Sequence, residues 1–88
     1  MQKVPVNWNA VKDTVIKAAK IYNKRFIKAR NVIDVLEENP RIRCNELKDI
    51  PEKTEKNRIN KVLRDLFHRH NSHGGNGGGV YIVPWVEA

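Results

Sequence analysis

One amphipathic segment, residues 54–67, sets the strongest constraint on how this chain can fold. Its apolar residues recur at spacings of three, one and three, which places them on one stripe of an α-helix: Ile59, Val62, Leu63 and Leu66. The opposite side carries cations and short amides: Lys53, Lys56, Asn57, Asn60, Lys61 and Arg64. Such a face can contact phosphates and base edges, or it can simply be solvated. The segments that flank the helix decide between these interpretations.

The size of the chain fits one domain. It has 88 residues, of which 40% are hydrophobic, and this is enough for a small core. No apolar run approaches the ~20 residues that cross a bilayer, and the first residues lack the apolar stretch of a signal peptide. Cys44 is the only cysteine and cannot form an internal disulfide, so we expect a reducing compartment. These features predict a cytoplasmic protein, either associated with a nucleoid or in the cytoplasm of a host.

The net charge of +7 is unevenly distributed along the chain. Residues 1–30 hold eight Lys/Arg against one acid, residues 31–52 hold three against six, and residues 53–88 hold six against three. Basic regions on both sides of an acidic middle favour a polyanionic partner, with nucleic acid as the first candidate. An anionic membrane surface is the rival, but no segment combines Lys/Arg with a large exposed apolar face.

The first half of the chain predicts two helices. Apolar positions in residues 8–36 keep a spacing of three or four without Gly or Pro, so one long helix or two abutting helices both fit. We expect two, about 10–23 and 26–38, because single helices usually run only ~10–14 residues. Asn7 or Asn9 can cap the first of them.

The first helix has surplus apolar surface. It can pack on its own domain, or it can also pair with a second copy of the chain. The second interpretation predicts a homodimer with an interface formed by Trp8, Val11, Val15, Ile16 and Tyr22. It divides the chain into an N-terminal arm and helix, residues 1–25, and a second unit, residues 26–88.

The middle of the chain has the pattern of a helix-turn-helix. Asn39 and Pro40 end the second helix, because proline lacks an N–H and restricts the residue before it. Residues 45–50 predict one to two helical turns, with Leu47 and Ile50 on one side. Pro51 ends that helix, and Thr54 can cap the next. Two short helices joined by a few residues, the second one basic outside, are typical of this motif.

The segment after Phe67 predicts a β-hairpin. Residues 80–86 are β-branched and aromatic, which suits a strand, and the Gly-rich residues 73–79 suit a hairpin tip. Pro84 cannot donate to a ladder, so we expect this strand at the edge of its sheet.

In order and spacing, these elements resemble the winged helix-turn-helix family of DNA-binding proteins, and in particular small transcriptional regulators of bacteria, archaea and their viruses and plasmids. The resemblance covers about residues 26–86, with residues 32–40, 46–50 and 54–67 as its three helices and the Gly-rich hairpin as its wing. It implies a mainly α fold with a small β-hairpin (α+β), here with an extra N-terminal helix.

The resemblance also implies roles for individual side chains. The third helix would enter the major groove, where its exposed face meets base edges: Asn57, Asn60, Lys61 and Arg64. Its N-terminal end would lie near phosphates: Lys53, Thr54 and Lys56. The wing would reach the sugar-phosphate backbone or a minor groove: Arg69, His70, His73 and Asn76.

The leading hypothesis is therefore sequence-specific binding of double-stranded DNA by a homodimeric transcriptional regulator. The alternative is a winged-helix protein-interaction module in a replication, partition or transcription assembly. Binding of RNA stays open on charge alone. No separate region for a small-molecule effector is evident, and we expect no cofactor.

Other chemistry has little support in the sequence. His68, His70 and His73 lack the spacing of a metal site, and Cys44 is remote from them. No positioned nucleophile suggests an enzyme. The aromatic residues are expected in the core or at an interface rather than as base-stacking platforms: Trp8, Tyr22, Phe26, Tyr81 and Trp85.

Overall fold

A computed structural model describes residues 5–70 and 79–87 of the chain. Within these residues the fold is mostly helical with one small antiparallel sheet, so the expected α+β class is confirmed. The elements in chain order are α1 (Trp8–Tyr22), β1 (Phe26–Ile27), α2 (Ala29–Glu38), α3 (Glu52–Leu66), β2 (His68–Arg69) and β3 (Tyr81–Ile82). Two short 3₁₀ turns, Pro40–Ile42 and Asn45–Leu47, lie between α2 and α3.

Local signals define both ends of α1. The side-chain oxygen of Asn7 accepts a hydrogen bond from the N–H of Ala10 at 3.2 Å, which confirms Asn7 as the cap. The helix ends at Tyr22 because Asn23 takes the left-handed conformation, with φ of 52°. The predicted break in the helical pattern at residues 23–25 is therefore confirmed.

The predicted start of the second helix was wrong. Phe26 and Ile27 form strand β1, and α2 begins only at Ala29. The N–H of Lys28 donates to the side-chain oxygen of Asn31 at 2.9 Å and so holds the first turn of α2. The end of α2 is as expected, since the helix stops at Glu38, just before Asn39 and Pro40.

The predicted helix at residues 45–50 was also wrong. Only Asn45–Leu47 form a single 3₁₀ turn, and Lys48 is already extended. Asp49 then has a φ of 55°, a left-handed conformation that does not continue a right-handed helix. The helix that precedes α3 is therefore α2, and residues 39–51 form the connection between the two.

The connection of residues 39–51 is anchored to the helices around it. Leu47 is buried in the core. The hydroxyl of Thr14 on α1 donates to the carbonyl of Ile42 at 3.0 Å. Arg58 on α3 donates from Nη1 to the carbonyl of Glu46 at 2.6 Å. Contacts to both α1 and α3 fix the path of the connection.

Helix α3 begins earlier than predicted. Its first residue is Glu52, and Pro51 occupies the N-cap position without a side-chain hydrogen bond. Thr54 lies inside the first turn, so its assignment as the cap was wrong. The carbonyl of Pro51 accepts from the N–H of Glu55 at 3.0 Å, and the φ of −58° at Pro51 suits the start of a helix.

The sheet has the order β1-β3-β2, with both pairs antiparallel. The predicted pairing of the two hairpin strands is confirmed, although its tip, residues 71–78, lies outside the described residues. The edge position predicted for the last strand was wrong, because β3 is the central strand. Pro84 lies beyond the end of β3, and the neighbouring Val83 N–H donates to the carbonyl of Arg25 at 2.7 Å.

All three helices contribute to one core. Its fully buried side chains include Val11 and Val15 of α1, Val32, Ile33 and Leu36 of α2, and Ile59, Leu63 and Val62 of α3. Helix α1 is thus part of the same folded unit as the rest of the described chain.

Two residues of the predicted dimer interface are buried within the chain. Val11 and Val15 have 0% exposed surface, because they pack against α2 and α3 in the core. Trp8 and Tyr22 are half-buried and pack on the same core, and Ile16 is half-buried. The surplus apolar surface of α1 is therefore mostly used within the chain.

Candidate nucleic-acid interface

Helix α3 presents a cationic face to solvent. The side chains that are exposed on this face are Lys53, Asn57, Lys61 and Arg64, and the exposed Asp65 lies one turn after Lys61. Because Lys53, Asn57 and Arg64 are four and seven residues apart, they form one row along the helix. At about 1.5 Å per residue, this row is roughly 16 Å long. In this row the amide of Asn57 lies between the cations of Lys53 and Arg64.

The N-terminal turn of α3 also carries an exposed carboxylate. Glu52 accepts a hydrogen bond from Nη1 of Arg30 at 2.7 Å, and this raises the pKa of the Arg30 guanidinium. Arg30 also lies 3.2 Å from Asp34, so one cation serves two carboxylates. The ion pair offsets part of the negative charge beside Lys53. The start of α3 therefore repels an anion less than its sequence alone indicates.

Lys61 leans toward α1. Its Nζ lies 5.3 Å from the centroid of the Trp8 ring, within the range of a cation–π interaction. This contact holds the ammonium beside the row of Lys53, Asn57 and Arg64. Arg58 has a different role, because its guanidinium donates to the Glu46 carbonyl and supports the connection of residues 39–51.

The structure does not place every predicted residue on this face. Asn60 is only 9% exposed, so it does not lie on the exposed face where the prediction placed it. Thr54 and Lys56 are half-buried at the sides of the first two turns. Of the residues of α3 that were predicted to meet base edges, Asn57, Lys61 and Arg64 are exposed.

The hairpin strand that follows α3 adds three polar side chains. His68, Arg69 and His70 are all exposed. The N–H of His70 donates to the carbonyl of Val80 at 2.8 Å, so the pairing with β3 continues past Arg69. A Cβ at Gly79 would collide with the Arg69 guanidinium, so glycine leaves the space that this side chain occupies. His73 and Asn76 lie outside the described residues.

A buried ion pair lies behind the first turn of α3. Oε2 of Glu55 is 3.2 Å from Nε of Arg43 in the connection of residues 39–51. Burial raises the pKa of Glu55 above its ordinary value, Arg43 opposes this effect, and Glu37 and Glu52 add to it. The pair links the connection to the helix that carries the exposed row.

Sequence reasoning missed Glu55, although a signal was present. Glu55 lies four and seven residues before Ile59 and Val62, which places it on the buried stripe of α3. A carboxylate at such a position requires a cationic partner, because an unpaired buried charge is unfavourable.

The aromatic residues divide into buried and exposed groups. Tyr81 is 2% exposed and belongs to the core, as expected. Phe26 and Trp85 are 43% and 44% exposed, so neither is a core residue. Trp85 packs edge-on against Phe67 with ring centroids 5.5 Å apart, and Lys20 Nζ lies 5.9 Å from its ring.

Within residues 5–70 and 79–87, no group of three or more His, Cys, Asp or Glu side chains converges as a metal site would require. Cys44 is a half-buried free thiol. None of the helices in the described part of the chain is both long enough and apolar enough to traverse a bilayer.

Comparison of the chain with protein-family models, with curated proteins and with solved structures gave no match. The function must therefore be inferred from the residues and their geometry. The exposed face of α3 and the strand that follows it form the surface on which exposed cationic and polar side chains are grouped.

Proposed function

We propose that this protein binds double-stranded DNA in the manner of a winged helix-turn-helix transcriptional regulator. The observation that carries the proposal is the exposed row of Lys53, Asn57 and Arg64 on α3, which is followed within a few residues by the hairpin strand β2. A helix with cations and an amide on its solvent side is suited to a groove lined by phosphates. The net charge of +7 adds a general attraction for a polyanion.

In the proposed complex, α3 lies in the major groove. This groove is about 12 Å wide and admits a helix, and it offers a distinct pattern of donors and acceptors for each base pair. The amide of Asn57 suits adenine, and the guanidinium of Arg64 suits guanine. Lys53 lies near the positive end of the helix, where a phosphate is favoured by both charge and backbone N–H groups.

Helices α2 and α3 would form the helix-turn-helix. Their connection, residues 39–51, is longer than the usual turn of about three or four residues. Its burial of Leu47 and its hydrogen bond from Arg58 hold it in place. A fixed connection keeps α3 at one angle to the rest of the domain, and this is what groove recognition requires.

The hairpin would contribute contacts outside the major groove. Arg69 and His70 are exposed on β2 and follow α3 directly. Their side chains suit the sugar-phosphate backbone, which positions a protein without reading sequence. The division of labour is thus base contacts from α3 and backbone contacts from β2.

Dimerisation is a separate part of the proposal. A two-fold dimer reads two half-sites about 34–36 Å apart, so its footprint is symmetric and spans two turns of duplex. A footprint confined to one half-site would contradict the dimer and leave the DNA-binding proposal in place.

The deciding experiment is an electrophoretic mobility shift with random duplex, followed by selection of preferred sites. We expect binding at low salt that weakens steeply as salt rises. Lys17→Ala is a matched control for Lys53→Ala, because Lys17 is paired with Asp13 on α1 at 3.1 Å. Absence of any shift at low salt would contradict the proposal.

A further inference from the structure

The outer face of the sheet carries a second surface, on which exposed aromatic rings lie near basic residues. Phe26 pairs with Ile82, and Ile82 pairs with His68, so the three residues form one row across the strands. In the next row, Ile27 and Tyr81 are buried, and Arg69, which pairs with Tyr81 on the edge strand β2, is exposed. Because successive residues of a strand point to opposite faces, the first row points away from the core.

Two rings meet on this outer face. His70 lies two residues after His68 on the same strand segment, so it shares that face. The rings of Phe26 and His70 have centroids 4.6 Å apart and an interplanar angle of 39°. Phe26 remains 43% exposed despite this contact. The result is an aromatic surface that is open to solvent, and we call Phe26, His68, His70 and Ile82 the outer-sheet surface.

The segments that carry the outer-sheet surface have charge of a single sign. The described residues 24–28, 68–70 and 79–83 contain no Asp or Glu. They contain four cations, Lys24, Arg25, Lys28 and Arg69, of which Arg69 pairs with Tyr81 and therefore belongs to the opposite face of the sheet. Nζ of Lys24 lies 5.3 Å from the Tyr22 ring centroid, and Arg25 donates to the Val86 carbonyl at 3.2 Å. Lys28 is exposed and has an extended backbone two residues after Phe26, which places the two side chains on the same face.

Aromatic rings beside cations suit one class of ligand particularly well. Unpaired nucleobases stack on aromatic side chains, while Lys and Arg bind the phosphates between them. A duplex cannot use such a surface, because its bases are already stacked on one another. An acidic peptide would meet the cations but would make little use of the exposed Phe26 ring.

We propose that the outer-sheet surface binds single-stranded DNA, with a base stacked on Phe26 beside His70 and a phosphate at Lys28. The site is distinct from the row on α3, but it shares His70 with the hairpin contacts proposed for duplex DNA. The choice of DNA over RNA rests on the proposed function, since a protein that holds duplex DNA meets unpaired DNA where the duplex opens.

The test is fluorescence anisotropy with a labelled oligothymidylate of about ten nucleotides, a length within the usual site sizes. Phe26→Ala should weaken binding on the order of tenfold, because it removes one base stack. Phe26→Tyr keeps a ring and should retain binding. Ile21→Ala is the matched control, because it removes another exposed apolar side chain, 51% exposed, from α1. Thermal melts of each variant report whether it is folded.

Several results would overturn the proposal: no binding of the oligothymidylate by the unaltered protein, equal binding by Phe26→Ala, or tighter binding of an oligouridylate of the same length. Self-association that disappears in Phe26→Ala, without oligonucleotide binding, would identify the surface as a contact between copies and would also overturn it.

A parallel titration with random duplex separates this proposal from the proposed function. Asn57→Ala reports on α3 in the same assay. If duplex binding is absent while the oligothymidylate still binds through Phe26, the proposed function fails and the outer-sheet site stands.

Discussion

Nε of Arg43 lies 3.2 Å from Oε2 of Glu55 and joins the connection between α2 and α3 to the first turn of α3. The Glu55 side chain is 8% exposed, whereas both partners of the Lys17–Asp13 pair are more than half exposed. Surface pairs contribute little to stability, but removal of one partner from a buried pair leaves an uncompensated charge. The Arg43–Glu55 pair therefore fixes the start of α3, next to Lys53.

Arg43→Ala should lower the free energy of unfolding at neutral pH by about 1–3 kcal/mol, because Glu55 loses its buried partner. The effect should depend on pH. The pKa of the Glu55 carboxyl is raised in the folded state, so the folded protein loses stability as the pH rises and this group becomes charged. When the pH falls, the carboxyl is protonated and the buried charge disappears. The loss should therefore shrink as pH falls through the titration of Glu55, and urea unfolding over a pH series measures it.

Arg41→Ala is the matched control, because Arg41 is an exposed arginine in the same connection. It should change the free energy of unfolding by about 0.5 kcal/mol or less. Glu55→Gln added to Arg43→Ala removes the buried charge and should recover part of the stability at neutral pH. A loss for Arg43→Ala that is the same at every pH would contradict the assigned role of Glu55.

Asn57→Ala and Asn60→Ala form a matched pair on α3. Asn57 is exposed, so its removal should reduce discrimination between preferred and random duplex by about 1–3 kcal/mol with little change in stability. Asn60 is 9% exposed, so its removal should lower the free energy of unfolding by about 1–2 kcal/mol. Competition binding and urea unfolding measure the two effects.

The reverse result is equally informative. If Asn60→Ala abolished discrimination in a fully folded protein while Asn57→Ala did not, the outward face of α3 would be assigned incorrectly.

Lys53→Ala should weaken binding to all duplexes alike, because Lys53 is proposed to contact a phosphate rather than a base. The slope of log K against log salt should fall by about one unit, which corresponds to the loss of one phosphate contact. Lys17→Ala should leave the slope unchanged. A change in site preference without a change in slope would contradict this role.

Lys61 and Trp8 give an optical report of the same interface. If Lys61 moves from the Trp8 ring to a phosphate, the emission of Trp8 should change when duplex is added. Trp85→Phe isolates this signal, and Trp8→Phe isolates the emission of Trp85. Addition of duplex should change the Trp8 emission of the Trp85→Phe variant and leave the Trp85 emission of the Trp8→Phe variant nearly constant. Equal changes in both variants would indicate a general effect rather than a contact of α3.

The helices could be predicted because their signals are local. The Asn7 cap lies beside the start of α1, and Asn39 and Pro40 lie beside the end of α2. The helix predicted at residues 45–50 was wrong because Leu47 and Ile50 are three residues apart, a spacing that fits a 3₁₀ turn as well as an α-helix. The left-handed Asp49 has no clear sequence signal.

The site was predicted in part. The apolar stripe of α3 fixes which side faces solvent, so the exposure of Lys53, Asn57 and Arg64 follows from spacing alone. Asn60 lies at the edge of that stripe, where the shape of the neighbouring elements decides burial. The exposure of Phe26 could not be foreseen, because it depends on a strand register with Ile82.

The pairing of Phe26 with Ile82 joins residues that are 56 positions apart. Closing so long a loop is entropically unfavourable unless other contacts hold its ends together, so packing of the three helices favours the pairing of β1 with β3. The amide proton of Val83, which is bonded to the Arg25 carbonyl, should then exchange slowly with solvent while the two strands stay paired. One backbone proton thus reports whether the two distant segments of the chain are joined.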